Sequence, residues 1–226
     1  MNTLHNELKK EFQLERMILF SDAVFAIAIT LLVIELKVPE IERSELTEQK
    51  LLEALAHMIP KFFGFAVSFM FIGIYWTVHH RLFGYVTDYT PKLLRLNLFF
   101  LFAVVLMPFS TAFYSEYVMK HVITPVVFYT GNIILLGVFN LLLWQYISNP
   151  ASKISEGLSK TQARYNMMRS IAVPVFFTIT AFIYLVSPTI AVYMPILIPV
   201  VLRILKKIYD KKNTTALKKE HGNRTT

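Results

Sequence analysis

The sequence predicts an all-α, polytopic membrane protein with six transmembrane helices. Of its 226 residues, 55% are hydrophobic and 17% are charged, whereas about 25% are charged in typical soluble domains. Six apolar runs also approach the ~20 residues that a helix needs to cross the hydrocarbon core. They lie at 17–36, 58–80, 96–114, 122–147, 170–187 and 189–205. Because these runs use most of the chain, we expect one domain over 1–226 that ends in a basic tail at 206–226.

The distribution of Lys and Arg predicts which side of the membrane each loop faces. An even number of spans places both termini on one side, and 18 of the 23 Lys and Arg residues fall there, in the terminal segments and the second and fourth loops. The positive-inside rule assigns the more basic side to the cytoplasm. We therefore expect a multi-pass cell-membrane protein with both termini in the cytoplasm.

The first apolar run is predicted to be a retained helix rather than a cleaved signal peptide. Basic residues precede it, and Ala26-Ile27-Ala28 has the small-x-small spacing of a cleavage site. However, the apolar run continues to Ile34, and Asp22 interrupts what would be a purely hydrophobic region of a signal peptide. The first helix is therefore expected to remain in the mature protein.

The loops contain signals for local structure. In the acidic first outer loop, Leu51, Leu52 and Leu55 have helical spacing behind a possible cap at Thr47, so we expect the second helix to begin in this loop and to project outside the bilayer. The polar fourth loop opens with Asn149-Pro150, a helix stop.

Five prolines inside apolar runs predict kinks, and these are Pro108, Pro125, Pro174, Pro195 and Pro199.

Asp22 is the most informative residue of the first helix. A carboxylate within hydrocarbon costs several kcal/mol, so it normally faces other helices or a water-filled path and has a partner. An Asp–Arg or Asp–His pair is the usual solution at this depth. The candidate partners are Arg16, the pair His79 and His80 together with Trp76, and Arg95 or Asn97. Two interpretations stay open, a structural polar network that holds helix one and a proton relay from Asp22 to His79 or His80.

The first helix is also predicted to have two different faces. At about 100° per residue, Phe20, Ile27, Thr30, Leu31 and Ile34 form one stripe, and Ser21 and Asp22 lie on the other side. The stripe is apolar except for the hydroxyl group of Thr30. From periodicity alone, it is more often a packing or lipid-facing surface than a functional one.

Several classes of function are disfavoured. The chain has no cysteine, which removes disulfides and thiolate chemistry. Adjacent histidines point in different directions on a helix, and no third ligand clusters with His79 and His80, so a metal site is not expected. The sequence contains no Ser/His or His/Glu constellation at catalytic spacing, so an enzyme is not expected. We predict neither a cofactor nor a nucleic-acid partner.

The run Arg16-x-x-x-Phe20-Ser21-Asp22, followed by an Ala- and Ile-rich stretch to Glu35, resembles the signature of the transmembrane protein 175 family of endosomal and lysosomal potassium channels and their prokaryotic relatives. Three further features in the first half of the chain resemble the family pattern. These are Trp76 with His79-His80, Asn97-Leu98, and Pro108-Phe109. The last three helices match the family in number only.

The resemblance implies an unconventional potassium channel fold, since no TVGYG filter sequence is present. It implies a homotetramer in the lipid bilayer, with potassium ions as the permeant species and one pore lined by the first helix of each copy. The family's hydrophobic gate would fall at Ile27, with Leu31 and Ile34 along the same face. Thr30 matches the position of a possible selectivity layer. Glu35 has two alternative roles that the sequence does not separate. It either attracts cations to the pore mouth or lies in an interface.

Overall fold

The computed structural model describes residues 2–120 and 122–222, and the side chains of 8–118, 120 and 122–211. Within the described residues, all regular elements are helical, and they form nine α-helices. In chain order these are α1 Asn2–Ile34, α2 Glu48–His57, α3 Ile59–Phe83, α4 Pro91–Val105, α5 Met107–Tyr117, α6 Ile123–Ser148, α7 Lys160–Val186, α8 Pro188–Tyr193 and α9 Ile198–Gly222. Short 3₁₀ turns join several of them.

Six stretches of the described chain are long and apolar enough to cross a membrane, which confirms the predicted fold class. The stretches are Leu8–Ile34, Ile59–Phe83, Pro91–Tyr117, Ile123–Ser148, Lys160–Val186 and Pro188–Lys211. The third consists of α4 and α5, and the sixth consists of α8, a 3₁₀ turn and α9. The protein is therefore a multi-pass α-helical membrane protein.

Prolines divide elements that the sequence suggested would be continuous. Thr47 caps α2 by accepting a hydrogen bond from the Lys50 N–H, but α2 is a separate helix and not the start of α3. A new helix begins at the residue before Pro60, Pro108 and Pro199. Proline is tolerated in the first helical turn, where an N–H has no intrahelical partner. These prolines therefore start new helices and do not simply kink continuous ones.

Two helices extend beyond the apolar runs. Helix α1 begins at Asn2, well before the predicted span at 17–36, and Lys10 on this extension pairs with Asp88 in the loop after α3 at 2.8 Å. Helix α9 continues to Gly222, into the segment expected to be a basic tail, and the tail's side chains from 212 onward lie outside the described residues. The loops after α3 and α6 pair through one antiparallel bridge, between Val86 and Ser155.

Helix α6 packs against α4, α5 and α7, and α1 packs against α3, α4 and α5. Helices α6 and α7 approach closely at Gly137, which lies against Pro174. A Cβ atom at Gly137 would collide with the Pro174 ring and press on the Ser170 carbonyl. Small residues at helix interfaces let backbones approach closely in membranes, so this contact fixes how α6 and α7 cross.

Candidate functional site

Helix α1 has one face against its own subunit and one face free. The buried face contains Leu14, Met17, Phe25, Ala28 and Leu32, each at most 7% exposed. Together with the buried Ser21, these residues recur at intervals of three or four, which is the period of one helical face. The face is held against α3, α4 and α5.

The centre of the buried face is polar. Ser21 is fully buried, donates its hydroxyl hydrogen to the Met17 carbonyl, and accepts a hydrogen bond from the Asn97 amide at 2.8 Å. The Asn97 carbonyl oxygen lies 2.8 Å from Nε2 of His79. One asparagine therefore connects α1 to α3 through α4, with both ends of its amide used.

Asp22 has a partner that is neither arginine nor histidine. The indole N–H of Trp76 donates to Oδ1 of Asp22 at 2.9 Å. Asp22 is half-buried and Trp76 is 41% exposed, so this bond lies at the edge of the α1–α3 contact. A carboxylate that accepts an N–H bond is a charge-assisted acceptor. We call Ser21, Asp22, Trp76, His79 and Asn97 the helix-one clamp.

The other candidate partners do not bond to Asp22 in the described structure. Arg16 is exposed, and its guanidinium group lies 5.7 Å from the centroid of the Phe12 ring. His80 is exposed and lies beside Trp76, with ring centroids 5.8 Å apart. Arg95 is exposed on α4. The partner of Asp22 is therefore Trp76, one of the candidates named from the sequence, and the usual Asp–Arg or Asp–His pair does not form here.

His79 is enclosed by aromatic rings and is 1% exposed. It stacks on Phe100, with ring planes 5° apart and centroids separated by 5.5 Å, and its centroid is 4.4 Å from that of Phe83. Phe25 of α1 packs on the same imidazole. These contacts fix the ring in one orientation, as a structural hydrogen-bonding group requires.

The opposite face of α1 is uncovered within one chain. We call Ile27, Thr30, Leu31 and Ile34 the free face of α1, and the three aliphatic residues are 58%, 38% and 66% exposed. Thr30 is also exposed, and its hydroxyl donates to the Ile27 carbonyl at 2.9 Å. Glu35 lies past the end of α1, in an outer cavity of about 250 Å³ that also contains Lys37, Lys61 and Glu116.

Sequence reasoning missed a second set of buried polar contacts. Thr111 donates to Ser68, which bonds to Tyr129 at 3.1 Å, and these contacts join α5, α3 and α6. Asn140 of α6 donates to Ser170 of α7 at 2.7 Å. Small polar residues inside apolar runs were the available signal, because hydroxyl and amide groups hydrogen-bond across membrane helices.

The fold and the helix-one clamp define a multi-pass membrane protein whose first helix is anchored on one face and free on the other. Residues 16–108 match the model of the family described as endosomal/lysosomal potassium channel TMEM175. This segment contains the whole helix-one clamp and the free face of α1. The resemblance to the transmembrane protein 175 family is thereby confirmed, and the family description is that of a channel and not of an enzyme.

Individual relatives match about half of the chain. A potassium channel of Streptomyces collinus is 43% identical over 98 residues, which cover 43% of this chain and 46% of the relative. A potassium channel of Chamaesiphon minutus is 38% identical over 111 residues, 49% of this chain and 54% of the relative. The endosomal/lysosomal proton channel TMEM175 of Gallus gallus is 36% identical over 124 residues, 53% of this chain and 25% of the relative. The chain thus spans about half the length of the bacterial relatives that it matches.

Two solved structures share the fold over most of the chain. A lysosomal potassium-selective channel TMEM175 homolog from Chamaesiphon minutus superposes with a TM-score of 0.72 at 25% identity, and the match covers 86% of this chain and 98% of that one. A variant of the potassium channel MtTMEM175 superposes with a TM-score of 0.54 at 19% identity, covering 90% and 93% of the two chains. The likeness in fold therefore extends beyond residues 16–108 to the last three spans.

Proposed function

We propose that this chain forms a potassium-permeable cation channel in the cell membrane, a homotetramer with a central pore lined by α1. The free face of α1 is the observation that carries the proposal. Three branched aliphatic side chains and one hydroxyl group are exposed along it, while the helix-one clamp anchors the opposite face. Identical subunits around a closed symmetry axis bring the same face of each copy together. The bacterial relatives that bear the name potassium channel support the choice of ion.

In such an assembly, Ile27 forms the hydrophobic constriction. Four isoleucine side chains at one level exclude water, and a hydrophobic constriction gates by dewetting. Leu31 and Ile34 continue the apolar lining toward the outer end. Passage of a hydrated ion then requires the four α1 helices to separate or rotate, and the helix-one clamp makes each helix move together with α3 and α4.

Thr30 is the polar residue nearest to this constriction. Its hydroxyl hydrogen is already donated to the Ile27 carbonyl, so the hydroxyl presents its oxygen to the pore as a lone-pair acceptor. A ring of four such oxygens provides partial replacement for the hydration shell of a cation. We propose that Thr30 contributes to cation selectivity in this way.

We also propose that both termini lie in the cytoplasm. The basic second and fourth loops meet on the terminal side of the bundle, where the backbones of Val86 and Ser155 pair and Lys10 bonds to Asp88. The excess of Lys and Arg on this side supports the assignment.

A proton-coupled transporter that uses Asp22 with His79 or His80 is the second candidate, because chains of carboxylate and imidazole groups relay protons in membrane pumps and transporters. Vertebrate relatives named proton channels support proton permeation but not coupled transport. The hydrogen bonds favour the channel. Among the described residues, no hydrogen bond joins Asp22 to either imidazole, and the bonds of His79 lead through Asn97 to Ser21. A relay needs a continuous path between the titrating groups, whereas the observed bonds fix three helices together.

The test measures ion flux in liposomes with a potassium gradient and no pH gradient. A channel dissipates the gradient as a passive current, whereas a proton-coupled transporter shows flux tied to counter-moving protons. Asp22→Asn keeps an acceptor for the Trp76 indole, so we expect the assembled Asp22→Asn protein to conduct potassium. Any defect should appear as a lower yield of folded protein. Assembled Asp22→Asn protein with altered proton coupling would support the relay instead.

A substitution at the constriction tests the pore itself. Ile27→Asn places polar groups where water is excluded, so we expect the resting potassium leak to rise about tenfold, equivalent to a barrier lowered by about 1.4 kcal/mol. Ile27→Leu is the matched control, since it keeps an aliphatic side chain of equal size. Equal leak through the Asn and Leu variants would remove Ile27 from the gate.

A further inference from the structure

A second cavity, of about 620 Å³, lies at the terminal side of the bundle and is lined by residues of α3, α7 and α9, with none from α1. Two of its walls are formed by one face of α7 and one face of α9, where lining side chains recur three or four residues apart. Tyr165 and Arg169 lie on one face of α7, and Arg203 and Lys206 lie on one face of α9, with Arg81 contributed by the last turn of α3. The spacing of three or four residues directs each pair of side chains into the same space.

Two stacked rings close one side of the cavity. The rings of Tyr165 and Tyr209 have centroids 4.3 Å apart and planes 29° apart. They hold α7 against α9, and both tyrosines line the cavity. The inner wall is apolar and contains Pro199 and Leu202. The cavity therefore combines a cationic opening with an apolar inner surface.

The charge of the cavity is strongly unbalanced. Four cationic side chains line the cavity, and these are Arg81, Arg169, Arg203 and Lys206. The lining contains one carboxylate, Asp210, which also takes part in other interactions. Within the described part of the chain, Arg81 and Arg169 take part in no ion pair. Arg169 is half-buried, and removing a guanidinium group from water without a counter-charge is costly. Four cationic groups that converge around a single carboxylate leave an excess of positive charge, which points to an anionic ligand.

We propose that this cavity binds a phosphate group, carried either by an anionic lipid headgroup or by a soluble phosphate. Arginine presents a planar fork of donors that matches phosphate oxygens in a bidentate fashion, and lysine adds a point charge. Basic pockets between membrane helices are sites for phosphorylated headgroups. Leu202 and Pro199 provide a surface for the glycerol and acyl portion of a lipid.

The experiment measures binding to the full-length protein in detergent by native mass spectrometry and by the shift in thermal unfolding temperature. The probes are dioctanoyl phosphatidylglycerol, dioctanoyl phosphatidylcholine and inorganic phosphate. The variants are Arg203→Gln, which alters an exposed residue, and Arg169→Gln, with Arg169→Lys retaining the charge. Arg164→Gln is the matched control, because Arg164 is exposed on the same helix as Arg169 but does not line the cavity.

Loss of one charge-assisted contact weakens binding by about tenfold or more. We expect that loss for phosphatidylglycerol in Arg203→Gln and Arg169→Gln, with Arg164→Gln unchanged and Arg169→Lys intermediate. Saturable binding of phosphatidylglycerol alone identifies a lipid site, and the same variant dependence for inorganic phosphate identifies a soluble ligand. If no probe binds saturably, or if Arg164→Gln weakens binding as much as Arg203→Gln, the proposal is wrong. Because Arg203 is exposed, its replacement tests binding even if Arg169→Gln fails to fold.

Discussion

Asn97 is the residue on which the helix-one clamp depends. Its amide donates to Ser21 at one end and bonds to His79 at the other, and all three residues are nearly inaccessible to solvent. A buried polar group that loses its partner costs more than the bond itself contributed, because the desolvation is no longer compensated. The two ends of one side chain therefore determine whether α1, α3 and α4 fit together.

Replacing Asn97 with leucine keeps the approximate volume and leaves Ser21 and His79 unpaired. We expect Asn97→Leu to lower the free energy of unfolding by about 1–3 kcal/mol, with the lower end favoured because hydrogen bonds in membrane proteins average about 0.6 kcal/mol. Thermal unfolding of the purified protein measures the effect. Thr30→Val is the control, because it removes an exposed hydroxyl group from α1, the helix that the clamp anchors, and leaves the clamp intact. Equal unfolding temperatures for both variants would mean that the clamp does not stabilise the fold.

The sequence indicated which residues of the site needed partners and named a set of candidates, but not which candidate each residue takes. Asp22 and Asn97 were identifiable because polar groups inside apolar runs must be satisfied. The assignment of Trp76 to Asp22 depends on where α1 crosses α3, which a single sequence does not contain. Arg16 is a candidate partner because it lies on the same helix as Asp22, but its guanidinium group lies over the Phe12 ring, outside the clamp.

At the scale of helices, the sequence shows where the prolines lie but not whether each one kinks a helix or begins a new one. Pro108 and Pro199 were expected to kink helices, yet each lies in the first turn of a new helix. Pro174 does remain inside α7. No local pattern indicates that Gly137 packs against Pro174, because the two residues meet only through the pairing of α6 with α7.

This contact leads to a prediction for two glycines of one helix. Gly137→Ala pushes a methyl group against the Pro174 ring and the Ser170 carbonyl, so we expect destabilisation of about 1–3 kcal/mol from overpacking. Gly131→Ala is the matched control, because nothing lies within 4 Å of its Cβ position and alanine is the better helix former. Thermal unfolding of both variants in the same detergent makes the comparison. Equal stability would mean that α6 and α7 can separate at this point without cost.

At the scale of the whole molecule, a single chain leaves the free face of α1 without a protein neighbour. Lipid could cover this face, as it covers other exposed apolar surfaces of the bundle, or copies of the same chain could meet there. The mass of the purified particle distinguishes a single chain covered by lipid from an assembly of several copies. For a homotetramer, we expect a detergent-subtracted mass of four times the 26.2 kDa chain, measured by light scattering with refractive-index and absorbance detection. A monomeric mass would contradict the tetramer and the shared pore together.

Thiol chemistry then distinguishes water from lipid at the free face. The chain contains no cysteine, so a single introduced thiol reports on one position. We expect a charged, water-soluble thiosulfonate reagent to block potassium flux through Ile34→Cys, because thiolate forms and reacts only where water reaches it. Phe182→Cys on α7 is the control, as it is similarly exposed, at 67%, but belongs to a helix outside the proposed pore lining. Ile27→Cys, deeper in the pore, should react only while the channel conducts. If the reagent leaves flux unchanged in both Ile34→Cys and Ile27→Cys while potassium still permeates, the ions take another path and α1 does not line it.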